Sequence, residues 1–208
     1  LSLPFAEGRP RARRRRKKKL AEAVGEDDGE AKPHKFSSTQ FNLGGLHRHA
    51  ILKLAAAIPD EALASDGREG EPHVTVKYGL HGDDAEAVRR VVDGFGPVKA
   101  RLGKVTLFPA NEATAQRGGE QYDVVKVDVE SAELRRLNAE LSKLPNRDKH
   151  PTYNPHVTLA YVKPGMGQKY AGSDRLEGTE VTIDALTFSS RMGERASTTI
   201  PLKGNQGP

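Results

Sequence analysis

The 208-residue chain is long enough for one domain of ordinary size plus an appendage, or for two small lobes sharing a cleft. It has no cysteine, which excludes disulfides, zinc-thiolate sites and thiol nucleophiles together. No run approaches the roughly 18 apolar residues of a membrane span, and the basic N-terminal stretch lacks the apolar core of a signal peptide, so the expectation is a soluble cytoplasmic protein, monomeric and without membrane contact. The net charge of +5 and the pI near 9.4 are local: residues 1–32 hold 10 basic and 6 acidic side chains, leaving 23 basic against 22 acidic in the remainder. The chain begins at Leu1, which fits a fragment, a processed product or a piece of a longer polypeptide alike.

Residues 1–34 read as a disordered charged arm, with nine basic residues between Arg9 and Lys19 followed by Glu26, Asp27, Asp28 and Glu30. Such an arm is either a solvated linker or a nonspecific nucleic-acid contact; no aromatic residues interleave its charges. Residues 35–204 form the expected folded domain, and 205–208 a flexible end. Within the domain, residues 36–43 read as a strand. Leu46, Ala50, Ile51, Leu54, Ala55 and Ile58 follow helical spacing as far as Pro59. A polar loop to Gly70 precedes a strand over 73–78, a helix over 83–95 and a strand over 98–108. The order then recurs: a strand over 122–129, a helix over 131–144 with Leu134, Leu137, Leu141 and Leu144 on one face, and a strand over 156–162. Strands over 180–188 and 196–202 close the series.

Corresponding elements begin at 36 and 122, 46 and 131, 73 and 156, and 98 and 179. Near-constant offsets of this kind are what an internal duplication leaves. The expected fold class is therefore α+β: a bilobal pseudo-twofold duplication with antiparallel sheets lining a central cleft and helices outside, the seam being the natural place for a ligand.

The duplication carries a motif. Pro72-His73-Val74-Thr75-Val76-Lys77-Tyr78 recurs as Pro155-His156-Val157-Thr158-Leu159-Ala160-Tyr161. Strand alternation puts His73, Thr75 and Lys77 on one face and Val74, Val76 and Tyr78 on the other; the second copy divides likewise. Proline before each histidine withdraws a backbone donor and keeps the preceding residue extended, which suits a strand starting at the motif. On this reading the tyrosines are core residues with a polar tip, unless a bulge turns either one toward the cleft. One histidine at a strand end is ordinarily structural. Imidazole plus hydroxyl on the polar face of two matched strands is more than packing demands, and points to a shared site.

These residues resemble the paired His-hydrophobic-Thr/Ser-hydrophobic signature of the 2H phosphoesterase superfamily, which includes RNA 2′,5′-ligase-like proteins and cyclic phosphodiesterases. The resemblance covers roughly residues 35–203; the arm has no counterpart in it. It implies a metal-independent, cofactor-free phosphoesterase acting on a 2′,3′-cyclic or 2′,5′-linked phosphodiester in RNA or a small nucleotide. His73 and His156 are the expected general acid and base, with roles that symmetric motifs leave unassigned, and Thr75 and Thr158 the hydroxyls that hold the nonbridging oxygens. Imidazole serves either role because its unperturbed pKa of ~6.5 leaves both protonation states accessible. Lys77, matched by Ala160, is a candidate contact for a second substrate phosphate or simply a solvated lysine. The loops 109–120, with Arg117-Gly118-Gly119, and 163–172 are candidates to border the cleft. His34, His47, His49, His81 and His150 lack a matched partner and are assigned no role. Nucleotide or cyclic-oligonucleotide binding without turnover, and an interaction module of a larger polypeptide, are the competing functions.

Overall fold

The computed structural model describes residues 35–110, 121–147, 152–191 and 197–204. Its elements in chain order are β1 (Ser37–Asn42), α1 (Gly45–Ala56), β2 (Leu63–Arg68), β3 (His73–Leu80), α2 (Ala85–Val92), β4 (Val98–Phe108), β5 (Asp123–Glu130), α3 (Ala132–Leu141), β6 (His156–Val162), β7 (Glu180–Ile183), β8 (Ala185–Ser189) and β9 (Ser197–Pro201). The α+β class is as expected. No helix among the described residues is long and apolar enough to cross a membrane.

All nine strands belong to one sheet, ordered β7-β4-β5-β6-β3-β1-β8-β9, with β2 added beside β6. Every pairing is antiparallel. The two motif strands, β3 and β6, are central neighbours joined through the pair Val74–Val157. The apolar residues of both motifs, Val74, Val76, Val157 and Leu159, face the core, where they meet Ile51 and Ala55 of α1 and Leu134, Leu137 and Leu141 of α3. The helices therefore cover one face of the sheet and leave the histidine face uncovered by them.

Local chemistry explains the helix boundaries. Gly45 opens α1 with φ +54, a left-handed conformation that glycine alone adopts without cost. At the other end of α1, the Arg68 guanidinium on β2 donates to the carbonyls of Ala55 and Ile58, satisfying acceptors that a helix terminus leaves open. Asp84 caps α2 by accepting from the Glu86 amide, and Ser131 caps α3 by accepting from the Leu134 amide.

Two expectations are corrected here. The polar stretch before Gly70 contains strand β2, which pairs with β6 through Leu63–Val162 and Arg68–Ala160. The single strand expected over 180–188 is broken at Asp184 into β7 and β8, which lie on opposite halves of the sheet, beside β4 and β1.

Candidate active site

Each motif histidine is tied by the same local bond. The Nδ1 of His73 lies 2.8 Å from the Glu71 carbonyl oxygen, and that of His156 lies 2.8 Å from the Asn154 carbonyl oxygen. A carbonyl only accepts, so Nδ1 must carry the proton and donate, which leaves Nε2 as the reactive nitrogen of each ring. The intervening prolines are fixed as well: the Pro72 carbonyl accepts from the Leu43 amide and the Pro155 carbonyl from the Val129 amide, at 2.8 and 3.0 Å. Both imidazoles thus stand on strand starts held from the neighbouring strand.

The β3–β6 register brings the two motifs together. Continuing the Val74–Val157 pair by one residue either way sets His73 opposite Thr158 and Thr75 opposite His156. The histidines are then diagonal neighbours, with Cα atoms about 7–8 Å apart in regular geometry. They are close enough for His73 to act electrostatically on His156. All four side chains are half-buried. The structure therefore unites His73, Thr75, His156 and Thr158 on one face.

Lys77 does not join them. Thr39 of β1 pairs with Lys77 and Gln40 with Thr75, so Val76 has no partner of its own and β3 bulges there. A bulge places two residues against one and breaks the alternation. Lys77 consequently lies with Thr39 on the buried face, only 4% exposed, where its amide donates to the Thr39 hydroxyl at 3.1 Å. Tyr78 is turned to the histidine face instead, opposite Ser38 and 42% exposed. The same event occurs in β6: Val125 pairs with Ala160 and Lys126 with Thr158, leaving Leu159 unmatched. Ala160 is fully buried and Tyr161 is turned toward the histidine face beside Val124. Where β3 and β6 part, Tyr153 Oη donates to the Thr75 carbonyl and Asn138 Nδ2 to the Val76 carbonyl, and burial pushes the Tyr153 hydroxyl pKa well above its ordinary value.

The strands flanking the motifs complete the face. Beside β3, Gln40 pairs with Thr75 and Asn42 with His73, while Thr187 of β8 pairs with Gln40. Gln40 Nε2 donates to Asn42 Oδ1 at 2.8 Å, and Asn42 Nδ2 donates to Thr187 Oγ1 at 3.3 Å. Beside β6, Lys126 pairs with Thr158 and Asp128 with His156, while Thr106 of β4 pairs with Lys126. Lys126 Nζ donates to Thr106 Oγ1 at 2.7 Å and to Asp128 Oδ1, and Thr106 Oγ1 donates to Asp128 Oδ1 at 2.8 Å. Lys126 also lies 4.2 Å from the centre of the Phe108 ring, whose neighbour is His156, edge to face at 5.1 Å. The positions correspond, but one set is neutral and the other charged.

That difference reaches His156, whose pKa is held below its ordinary value. Burial is the main cause, with the positive charges of Lys126 and His73 acting in the same direction; the Asn154 carbonyl and Asp128 oppose them. Sequence reasoning missed Lys126, Asp128 and Thr106. The available signal was Lys126 and Asp128 standing at the same offset from Gln40 and Asn42 as Tyr122 from Phe36.

Of the two candidate bordering loops, 109–120 lies outside the described residues beyond Ala110. The loop 163–172 packs on the face opposite the histidines: Gly167 donates its amide to Asp123 Oδ2 at 2.9 Å, and a Cβ there would sit 2.3 Å from the Leu107 side chain. Among the described residues no group of three His, Cys, Asp or Glu side chains is placed to hold a metal ion. Residues 1–34 and 205–208, with His34, and also His150, lie outside the described residues.

No protein-family model and no curated protein sequence matches the chain. Solved structures do. TT0787 of Thermus thermophilus aligns over 82% of this chain and 100% of its own, at 17% identity and a TM-score of 0.52. Usb1 of Kluyveromyces marxianus, solved with uridine monophosphate, aligns over 82% and 99%, at 12% identity and 0.54. A third, described as a phosphoesterase, aligns over 81% and 95%, at 15% identity and 0.50. The likeness is one of fold, shared with all three over about four fifths of this chain. Within that fold the paired motifs lie on adjacent central strands of the sheet.

Proposed function

We propose that this protein is a metal-independent phosphodiesterase that opens a 2′,3′-cyclic or 2′,5′-linked phosphodiester in RNA or a small nucleotide, or closes it in the reverse direction. The observation that carries the reading is the pair of imidazoles on adjacent antiparallel strands, each with Nδ1 bonded to its own chain and Nε2 left for chemistry. Displacement at phosphorus needs a base at the entering oxygen and an acid at the departing one, in line across the phosphorus. Two diagonal histidines meet both needs. The mirrored strand order and matching bulges support descent of the two halves from a duplicated unit.

In the hydrolytic direction His156 is the base. Its depressed pKa keeps it neutral near pH 7, able to take a proton from water as the oxygen–phosphorus bond forms. His73 is the acid and gives its Nε2 proton to the sugar oxygen as that bond to phosphorus breaks; in the ligating direction the roles exchange. Thr75 and Thr158 donate to the nonbridging oxygens, where the transition state holds charge. The solved neighbours include a phosphoesterase and a Usb1 with uridine monophosphate, which is compatible with a nucleotide phosphodiester on this face.

The test is a screen of 2′,3′-cyclic mononucleotides, 2′,5′-linked dinucleotides and cyclic oligonucleotides in the presence of a chelator, with the His73→Ala/His156→Ala double variant as control. Turnover by the wild type and loss in the control is the expected result. Tight nucleotide binding without turnover would replace the enzyme by a sensor, and activity abolished by the chelator would contradict the mechanism.

A further inference from the structure

The symmetric bulges have a second effect. Tyr78 pairs across the sheet with Ser38, and Phe36, two residues before Ser38, meets the Tyr78 ring edge to face with centroids 6.1 Å apart and planes at 79°. Tyr161 pairs with Val124, and Tyr122, two residues before Val124, meets the Tyr161 ring at 5.0 Å and 79°. An edge-to-face aromatic pair is therefore built twice, at matching positions of the two halves of the sheet. His81 extends the first by stacking on Phe36 at 5.7 Å; Phe108 and Ala64 pack beside the second.

Spacing relates these pairs to the histidines. Asn42, Gln40 and Ser38 face His73, Thr75 and Tyr78 in turn, and Asp128, Lys126 and Val124 face His156, Thr158 and Tyr161. Each step is two residues of the flanking strand, about 6.5–7 Å. Because β3 and β6 run antiparallel about Val74–Val157, the tyrosines mark opposite ends of one line. The four His and Thr side chains occupy its middle, and each tyrosine backbone stands roughly 10 Å from the midpoint. A sugar and a base reaching from a central phosphate toward a tyrosine ring span that interval. Packing does not account for Tyr78, which remains 42% exposed, whereas an exposed aromatic face is what a base stacks on.

We propose that Phe36–Tyr78 and Tyr122–Tyr161 are two nucleobase stations flanking the phosphate position, so that the cleft is built for a nucleotide on each side of the scissile phosphodiester, a dinucleotide or a longer strand. This rests on the phosphodiesterase reading and narrows it: a cyclic mononucleotide occupies one station, a dinucleotide both. The stations are unlike. The first is open and carries Lys35, whose ammonium lies 5.7 Å from the Phe36 ring centre; the second is walled, with Tyr122 only 5% exposed.

The test is calorimetric binding to the full chain, comparing thymidine monophosphate with the dinucleoside monophosphate of thymidine, which lacks the 2′-hydroxyl needed for internal attack. The dinucleotide is expected to bind tenfold or more tightly than the mononucleotide. Tyr78→Ala and Tyr161→Leu should each weaken dinucleotide binding roughly tenfold, at the scale of one lost base–aromatic stack. Tyr78→Phe and Tyr161→Phe, which keep the ring and its packing, should bind like the wild type. Equal affinity for the two ligands, or full dinucleotide affinity in both truncated variants, overturns the proposal. Should the expected binding pattern come with no turnover of any phosphodiester, the stations stand and the catalytic reading falls; turnover of cyclic mononucleotides with unchanged dinucleotide affinity in both variants does the reverse.

Discussion

The two halves of the histidine face occupy matching positions of the sheet and differ in chemistry. On one side Gln40, Asn42 and Thr187 form a neutral chain of hydrogen bonds beside His73 and Thr75. On the other, Lys126, Asp128 and Thr106 form a charged cluster beside His156 and Thr158, roofed by Phe108. Both halves present a histidine in the same way. What differs is the set of charges around each ring: Lys126 and Asp128 act on His156 in opposite directions, beside the larger effect of its burial. A repeated motif supplies the paired groups, and burial together with unequal neighbours distinguishes their settings.

The largest effect should come from removing either ring. His73→Ala or His156→Ala is expected to lower phosphodiesterase turnover by ~10²-fold or more, the usual scale of acid–base catalysis, and near-full activity in either folded variant would remove that histidine from the mechanism. Copying the neutral half onto the charged one is subtler. As the base, His156 must be unprotonated, so kcat/KM is retained above its pKa and falls as pH drops through it, in a range below ~6.5. Lys126 depresses this pKa and Asp128 raises it. Lys126→Gln should therefore move the acid limb of the pH profile to higher pH, and Asp128→Asn to lower pH. Limbs unmoved in both variants would show that the cluster has no part in tuning the base.

The smallest effect belongs to the N-terminal arm. If its nine basic residues between Arg9 and Lys19 contact phosphates, deleting residues 1–34 should weaken RNA binding and flatten its dependence on salt. Filter binding at several salt concentrations reads the slope, and an unchanged slope identifies a linker.

Much of the fold was legible because alternation is a faithful signal where a strand is regular. Val98–Phe108 and His156–Val162 have the bounds that the sequence pattern predicts, and the leucines of α3 form the expected buried stripe. The failures share a cause: the backbone departed from the regular period. A bulge leaves no mark in composition, so Lys77 and Tyr78 exchange faces relative to strict alternation. Strand β2 carries Ser65, Asp66 and Arg68 with Gly67 among them, and is held partly by an arginine that reaches the end of α1. Lys126 and Asp128 alternate with buried valines and read as a solvent face. Their partners, Thr106 and Phe108, arrive from a strand about twenty residues earlier, which no local pattern reveals.

Because the account turns on two imidazoles held alike among unlike neighbours, the most direct measurement is a pH titration of His73 and His156 ring nitrogens by NMR in the full chain, with no substrate present. The predicted result is the Nδ1–H tautomer for both neutral rings, with His156 titrating below ~6.5. An Nε2–H tautomer at either position, or a His156 that titrates at or above that value, would contradict the account.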